Sequence, residues 1–279
     1  MTRVHVGCQG WNYDDWVRRP ASVGRDAAFY PHGTRPAAML EVYARAFETI
    51  EVDSTFYAIP SAQSVEGWRK RTPEGFTFSL KLPQEITHQR ALASAGFALM
   101  EEFCERVRLL GGKLAVVLIQ LPPQFEMTIE NAQSLREFLP QLPHDIRFSV
   151  EFRSADWMKR SVADLLGKHN VALTLVEGQW LEQEDVFRFA LLPTANFAYI
   201  RWMGERDLTR FDTVSRPQSE NLRRWSEAIT LMREHVSDVY AYFSNYYEGH
   251  APASARQLKR LLGQQVVEPS DLEDQPSLF

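Results

Sequence analysis

The chain has 279 residues, 44% of them hydrophobic and 24% charged, with a formal net charge of −5. That length suits a single α/β barrel and the apolar fraction suffices for a full core, with no linker-like stretch to divide it. The acidic balance argues against a bulk grip on nucleic acid, which needs a field of Lys and Arg, and two cysteines, Cys8 and Cys104, argue against a disulfide framework or a thiolate zinc site.

From the N-terminus, M-T-R-V-H-V-G shows no charged-then-apolar leader, and no later run approaches the ~20 apolar residues of a membrane helix. A cytoplasmic location without a membrane partner is therefore the expectation. Val4 to Gly7 reads as a strand, and Gln9 to Trp16 as an aromatic loop built on Trp11, Tyr13 and Trp16. Pro36 opens a helix whose Met39, Leu40, Tyr43 and Phe47 share one face. The stretch E-T-I-E-V-D-S-T-F-Y-A-I-P, Glu48 to Pro60, follows. In it Ile50 and Val52 alternate with Glu51 and Asp53, the period of a strand with one aliphatic and one acidic face.

A helix over Ser64 to Arg71 ends in the turn Thr72 to Gly75, and F-T-F-S-L-K carries its polar face to Lys81. A loop with Ile86, Thr87 and His88 precedes a helix from Gly96 to Leu110, stopped by Gly111 and Gly112. Leu114 to Gln120 is apolar enough for a strand covered on both sides. After a helix from Ile129 to Leu139, R-F-S-V-E-F-R places Arg147, Ser149, Glu151 and Arg153 on one face. A helix from Lys159 to His169 leads to a strand ending at Glu177, and Trp180 to Pro193 shows no regular period. Phe197 to Trp202 is the seventh strand, with Tyr199 and Arg201 on one face. A helix over Ser219 to His235 separates it from the eighth, Val239 to Asn245, and a last helix covers Ala253 to Leu262.

Eight short apolar strands alternating mostly with helices mean parallel β/α units, and the length favours a closed (β/α)8, TIM-barrel-like cylinder over an open sheet. The expected organisation is one barrel domain over residues 1–263 with a polar C-terminal tail over 264–279.

Seven motifs occur in order along nearly the whole chain: Gly10-Trp11 with Tyr13 and Trp16, Glu51 to Pro60, Phe76 to Lys81, Thr87-His88, Gln120 to Phe125, Val150 to Arg153, and Tyr242 to Ala251. Together they make the chain resemble the DUF72 or YecE-like family, which implies a TIM-barrel-like fold and carries no assigned activity. Two departures stand out. Where the family tends to show Arg-x-His-Gly, this chain has Arg201-Trp202-Met203-Gly204, and where paired asparagines are usual it has Ser244 and Asn245.

On the barrel reading Glu51, Asp53, Lys81, Gln120, Glu151, Arg153, Arg201 and Asn245 fall at the carboxyl ends of the strands, where barrel active sites lie. The bland alternative is a buried charge layer that fixes barrel register. Buried ion pairs add little net stability, so their gathering at the functional end favours a site. Lys81, Arg153 and Arg201 suit a small anionic molecule bearing phosphate or carboxylate. Glu51 and Glu151 are then the candidate acid and base, and Lys81 a proton carrier or Schiff-base amine whose plain alternative is a salt bridge. Trp11 and Tyr57 offer stacking faces or simply pack the loops, and His88 and His250 stand in loops on the same side.

The favoured reading is an acid/base enzyme that requires no cofactor. A second reading gives Glu51, Asp53, Glu151 and a histidine a divalent metal, as in a metal-dependent phosphodiesterase or nuclease-like barrel. A third is a non-catalytic protein that recognises a nucleic-acid end, a phosphorylated metabolite or a protein partner. The residues leave the oligomeric state open.

Overall fold

The computed structural model describes residues 2–19 and 28–273. Strands β1 (Arg3–Gln9), β2 (Thr49–Val52), β3 (Thr77–Lys81), β4 (Leu114–Gln120), β5 (Phe148–Glu151), β6 (Ala172–Gly178), β7 (Phe197–Gly204) and β8 (Asp238–Phe243) pair in sequence order. All pairings are parallel and β8 closes onto β1, making the expected (β/α)8 barrel. Helices α1 (Pro36–Ala46), α2 (Ala62–Lys70), α3 (Phe97–Val107), α4 (Ile129–Phe138), α5 (Arg160–Lys168), α6 (Gln183–Ala190), α7 (Ser219–Met232), α8 (Asn245–Glu248) and α9 (Ala251–Leu261) lie among and after them. Among the described residues no helix is long and apolar enough to cross a membrane.

The alternation in β2 decides its orientation. Ile50 and Val52 join the apolar layer between barrel and helices, while Thr49 and Glu51 turn inward, Thr49 to Tyr242 and Glu51 to Arg201. The barrel's middle is packed, not hollow: Val116, Leu118, Ala172, Phe197, Tyr199, Tyr240 and Tyr242 form their own cluster. At the amino end of the strands Asp238 is 1% exposed and takes Arg3 Nε at 3.0 Å, His5 Nε2 at 3.2 Å and Arg147 Nη2 at 3.2 Å. That group closes the bottom, with the Arg3 side chain 72% exposed around the buried Asp238.

The segment expected to be irregular, Trp180 to Pro193, contains α6, a correction with a simple cause. Eight residues make little more than two turns, too few for an apolar period to show. Its stability comes from elsewhere: Glu184 and Asp185 sit in its first turn, and Phe187 packs on Trp225 of α7 with ring centroids 4.6 Å apart. At the C-terminus, Gln264 Nε2 donates to the Val4 carbonyl at 2.7 Å, Arg260 pairs with Glu268, and Leu272 is buried. Residues 274–279 of the expected tail lie outside the described residues.

Candidate functional site

The strand-end residues meet at the carboxyl rim, and Arg201 is their hub. It is fully buried and grips Glu51 with a fork, Nε to Oε2 at 2.9 Å and Nη2 to Oε1 at 2.7 Å. Its Nη1 donates to Glu151 Oε2 and, at 3.2 Å, to Gln120 Oε1. Tyr199 adds its hydroxyl to Glu51 Oε2 at 2.7 Å. Above this layer Arg153 Nε donates to Glu151 Oε1 at 2.7 Å, and the guanidinium lies 3.9 Å from the centre of the Trp180 ring. Lys81 Nζ stands 2.5 Å from Asp53 Oδ1 and 3.9 Å from Glu51 Oε1. The Lys81 backbone is pinned by Thr55, whose hydroxyl accepts from Lys81 N at 3.0 Å and donates to its carbonyl at 2.9 Å.

Burial sorts these groups by access. Glu51, Glu151 and Arg201 are sealed, whereas the Asp53 side chain is 38% exposed and Lys81 lies between them. Burial by itself would raise the Glu151 carboxyl, but Arg201 and Arg153 outweigh it and draw it down to about 2. Glu151 therefore keeps its charge near neutrality, between the two arginines that donate to it. Its folded carboxyl sits below its unfolded value of 4.5, and the unfolded chain binds more protons in the window between. The resulting stabilisation is complete above the unfolded value and drains away as pH falls toward the folded one. Urea midpoints should show native protein and Glu151→Gln converging as pH drops from about 7 to about 3. A gap that stays constant over that range would contradict the assignment.

His88 stands at the edge of the same group. Its Nδ1 is 2.8 Å from Thr87 Oγ1 and its ring meets Phe56 edge-on at 4.9 Å. Burial and the charges of Arg153 and Lys81 hold it below its usual value, partly offset by Glu151, so at neutral pH it is an uncharged donor and acceptor.

The other expected residues go elsewhere. β8 ends at Phe243, and Ser244 caps α8 by accepting from Tyr246 N, which carries Asn245 off the rim. Asn245 Oδ1 instead accepts from Trp16 Nε1 at 3.0 Å and Ala251 N at 3.1 Å. His250 is fully buried beside Trp16, and its Nδ1 donates to the Phe211 carbonyl at 2.8 Å. Trp11 packs edge-on against Trp68, and Tyr57, 72% exposed, meets Phe56 edge-on. Met203, at the position where the resemblance leads one to expect a histidine, is buried with its sulfur 3.2 Å from Gln9 Nε2.

The divalent-metal set is not assembled. Among the described residues no three His, Cys, Asp or Glu side chains are grouped to hold an ion, because Arg201 and Lys81 already face the oxygens such an ion would need. A roomy cleft of about 960 Å³ lies between the end of β6 and α7, lined by Glu177, Gln183, Asn221 and Arg224 among others and by none of the residues of the ionic cluster. Burial pushes the Glu177 carboxyl up, and Trp225 Nε1 and Asn221 Nδ2 both donate to it. Since both donors belong to α7, Glu177 ties that helix to β6.

Trp180, Thr55 and Tyr199 were missed as members of the rim. Tyr199 carried a signal, because it precedes Arg201 by two on the same strand face. Trp180 did too, as a lone aromatic just beyond a strand end.

Residues 5–277 match the family described as "Protein of unknown function DUF72". YecE of Escherichia coli is 31% identical, covering 85% of this chain and 87% of the relative, and YunF of Bacillus subtilis is 27% identical, covering 93% and 94%. A crystal structure of a DUF72 family protein from Thermotoga maritima superposes with a TM-score of 0.75 at 23% identity, over 94% of this chain and all of that one. The barrel, the ordered motifs and these matches agree: the chain belongs to the DUF72 family.

Proposed function

We propose that the chain is an enzyme that binds a small anionic molecule at the carboxyl rim of the barrel and moves a proton on it with Lys81. The observation that carries this is Arg153. Its Nε is engaged by Glu151, but its Nη2 is buried without a hydrogen-bond partner, a costly state for a charged donor unless an acceptor is delivered to it. Lys81 is the cation nearest solvent in the cluster, with Asp53 beside it to exchange a proton and Glu51 behind it. Glu51 and Glu151 act as positioning residues, since both are closed in by arginine. This division of labour follows from access: the sealed groups set geometry, and the rim groups meet the ligand.

The test is a titration with phosphate, sulfate and small carboxylates, read as a rise in thermal midpoint. Saturable stabilisation of the native chain is expected. Lys81→Met should fold and bind the same anions about ten- to a hundredfold more weakly, as one charge-assisted contact would give. Unchanged affinity in that variant would remove Lys81 from the site, and no stabilisation by any anion would defeat the reading.

A further inference from the structure

One more cation stands at the rim. In the β6–β7 ladder Gly178 pairs with Gly204, and two residues beyond each come Trp180 and Arg206. Trp180 is the ring on which Arg153 lies. The two loops thus leave neighbouring strands side by side, with Arg206 on one and the ring that carries Arg153 on the other, and the Arg206 charge bears weakly on Arg153. The acids flanking Arg206 do not neutralise it, because both turn to Arg216, Glu205 at 3.8 Å and Asp207 at 2.6 Å. Among the described residues no carboxylate pairs with Arg206, which is exposed.

The loop that carries it is held at both ends. At its root Gly204 has φ +64°, and a Cβ there would come within 2.2 Å of the Tyr246 carbonyl oxygen, so only glycine lets the chain pass α8. Farther on, Ser215 N and Arg216 N both donate to the Glu248 carbonyl, at 2.8 and 3.1 Å. Arg206 is therefore presented on a braced segment.

We propose that the anion is a phosphoryl group, gripped between Arg153 and Arg206. This rests on the reading of the rim as an anion site and narrows it. Arg153, tied through Nε, can offer its outer nitrogens but not the Nε edge of its fork. Lys81, Arg153 and Arg206 come from β3 and from the segments after β5 and β7, so their donors reach the ligand from separate directions. A carboxylate has two oxygens in one plane, whereas a phosphoryl group spreads three around a tetrahedron and carries a charge of about −1.5 to −2.

Calorimetric titration of the whole chain with inorganic phosphate, methyl phosphate, acetate and malonate tests this. Both phosphates should bind at least tenfold more tightly than either carboxylate. Arg206→Ala should weaken both phosphates about fivefold and Arg206→Lys should recover part of the loss. Phosphate affinity unchanged in Arg206→Ala overturns the clamp. Malonate binding more tightly than phosphate, and still weakened by Lys81→Met, overturns the phosphoryl assignment while the anion reading stands. Failure of all four to bind overturns the anion reading itself.

Discussion

Arg201→Met should lower the thermal midpoint by on the order of 10 °C. The substitution leaves Glu51 and Glu151 fully buried with their principal cation gone. Breaking a buried ionic group from one side typically costs about 3–5 kcal/mol, because the abandoned charges remain desolvated. For a chain of this size each kcal/mol moves the midpoint by roughly 2–4 °C. The complementary experiment removes the charges together. Arg201→Met combined with Glu51→Gln and Glu151→Gln should recover a substantial part of the loss, since neutral amides are cheaper to bury than unpaired carboxylates. Thermal melts followed by circular dichroism measure both. A midpoint within about 2 °C of the native value for Arg201→Met would mean that the buried layer does not hold the rim together.

The second large effect is on binding. Arg153→Ala should weaken phosphate by about ten- to a hundredfold, the range of about 1.5–3 kcal/mol for a hydrogen bond from a charged group. Glu151 keeps Arg201 after the change, so the fold should survive and the loss should appear in affinity. Arg153→Lys should not restore binding. An ammonium can replace the charge but not the planar group that reaches Glu151 through one nitrogen, lies on Trp180 and keeps another without a partner. Calorimetry separates the cases, and full affinity in Arg153→Lys would show that charge alone is recognised.

The barrel was legible because each strand advertises itself by alternation or by an unbroken apolar run, and because polar residues recur where those runs stop. Glu51, Lys81, Gln120, Glu151 and Arg201 each lie on a strand, so the register of the barrel brings them together once the strands are recognised. Asn245 was misplaced by two residues of strand. The chain leaves β8 at Phe243 and turns through a serine cap, and that cap also carries His250 into the aromatic packing around Trp16. Arg206 carried no period at all. It sits among Glu205, Asp207 and Arg210, and only the folded loop shows which acids Arg216 has taken. The charges on Glu51 and Glu151 were legible as well, but not the donors that enclose them. Whether a carboxylate can exchange a proton depends on how many donors enclose it, and that is a property of the assembled rim.

The central claim is that the carboxyl rim of the barrel receives an oxyanion through Arg153. The most direct measurement is a crystal of the native chain soaked in selenate, a tetrahedral oxyanion whose selenium can be located by anomalous scattering. The expected result is a peak with its oxygens within hydrogen-bond reach of Arg153 Nη2 and facing Lys81 and Arg206. Peaks confined to other surfaces, with Arg153 Nη2 still facing no acceptor, would contradict the account.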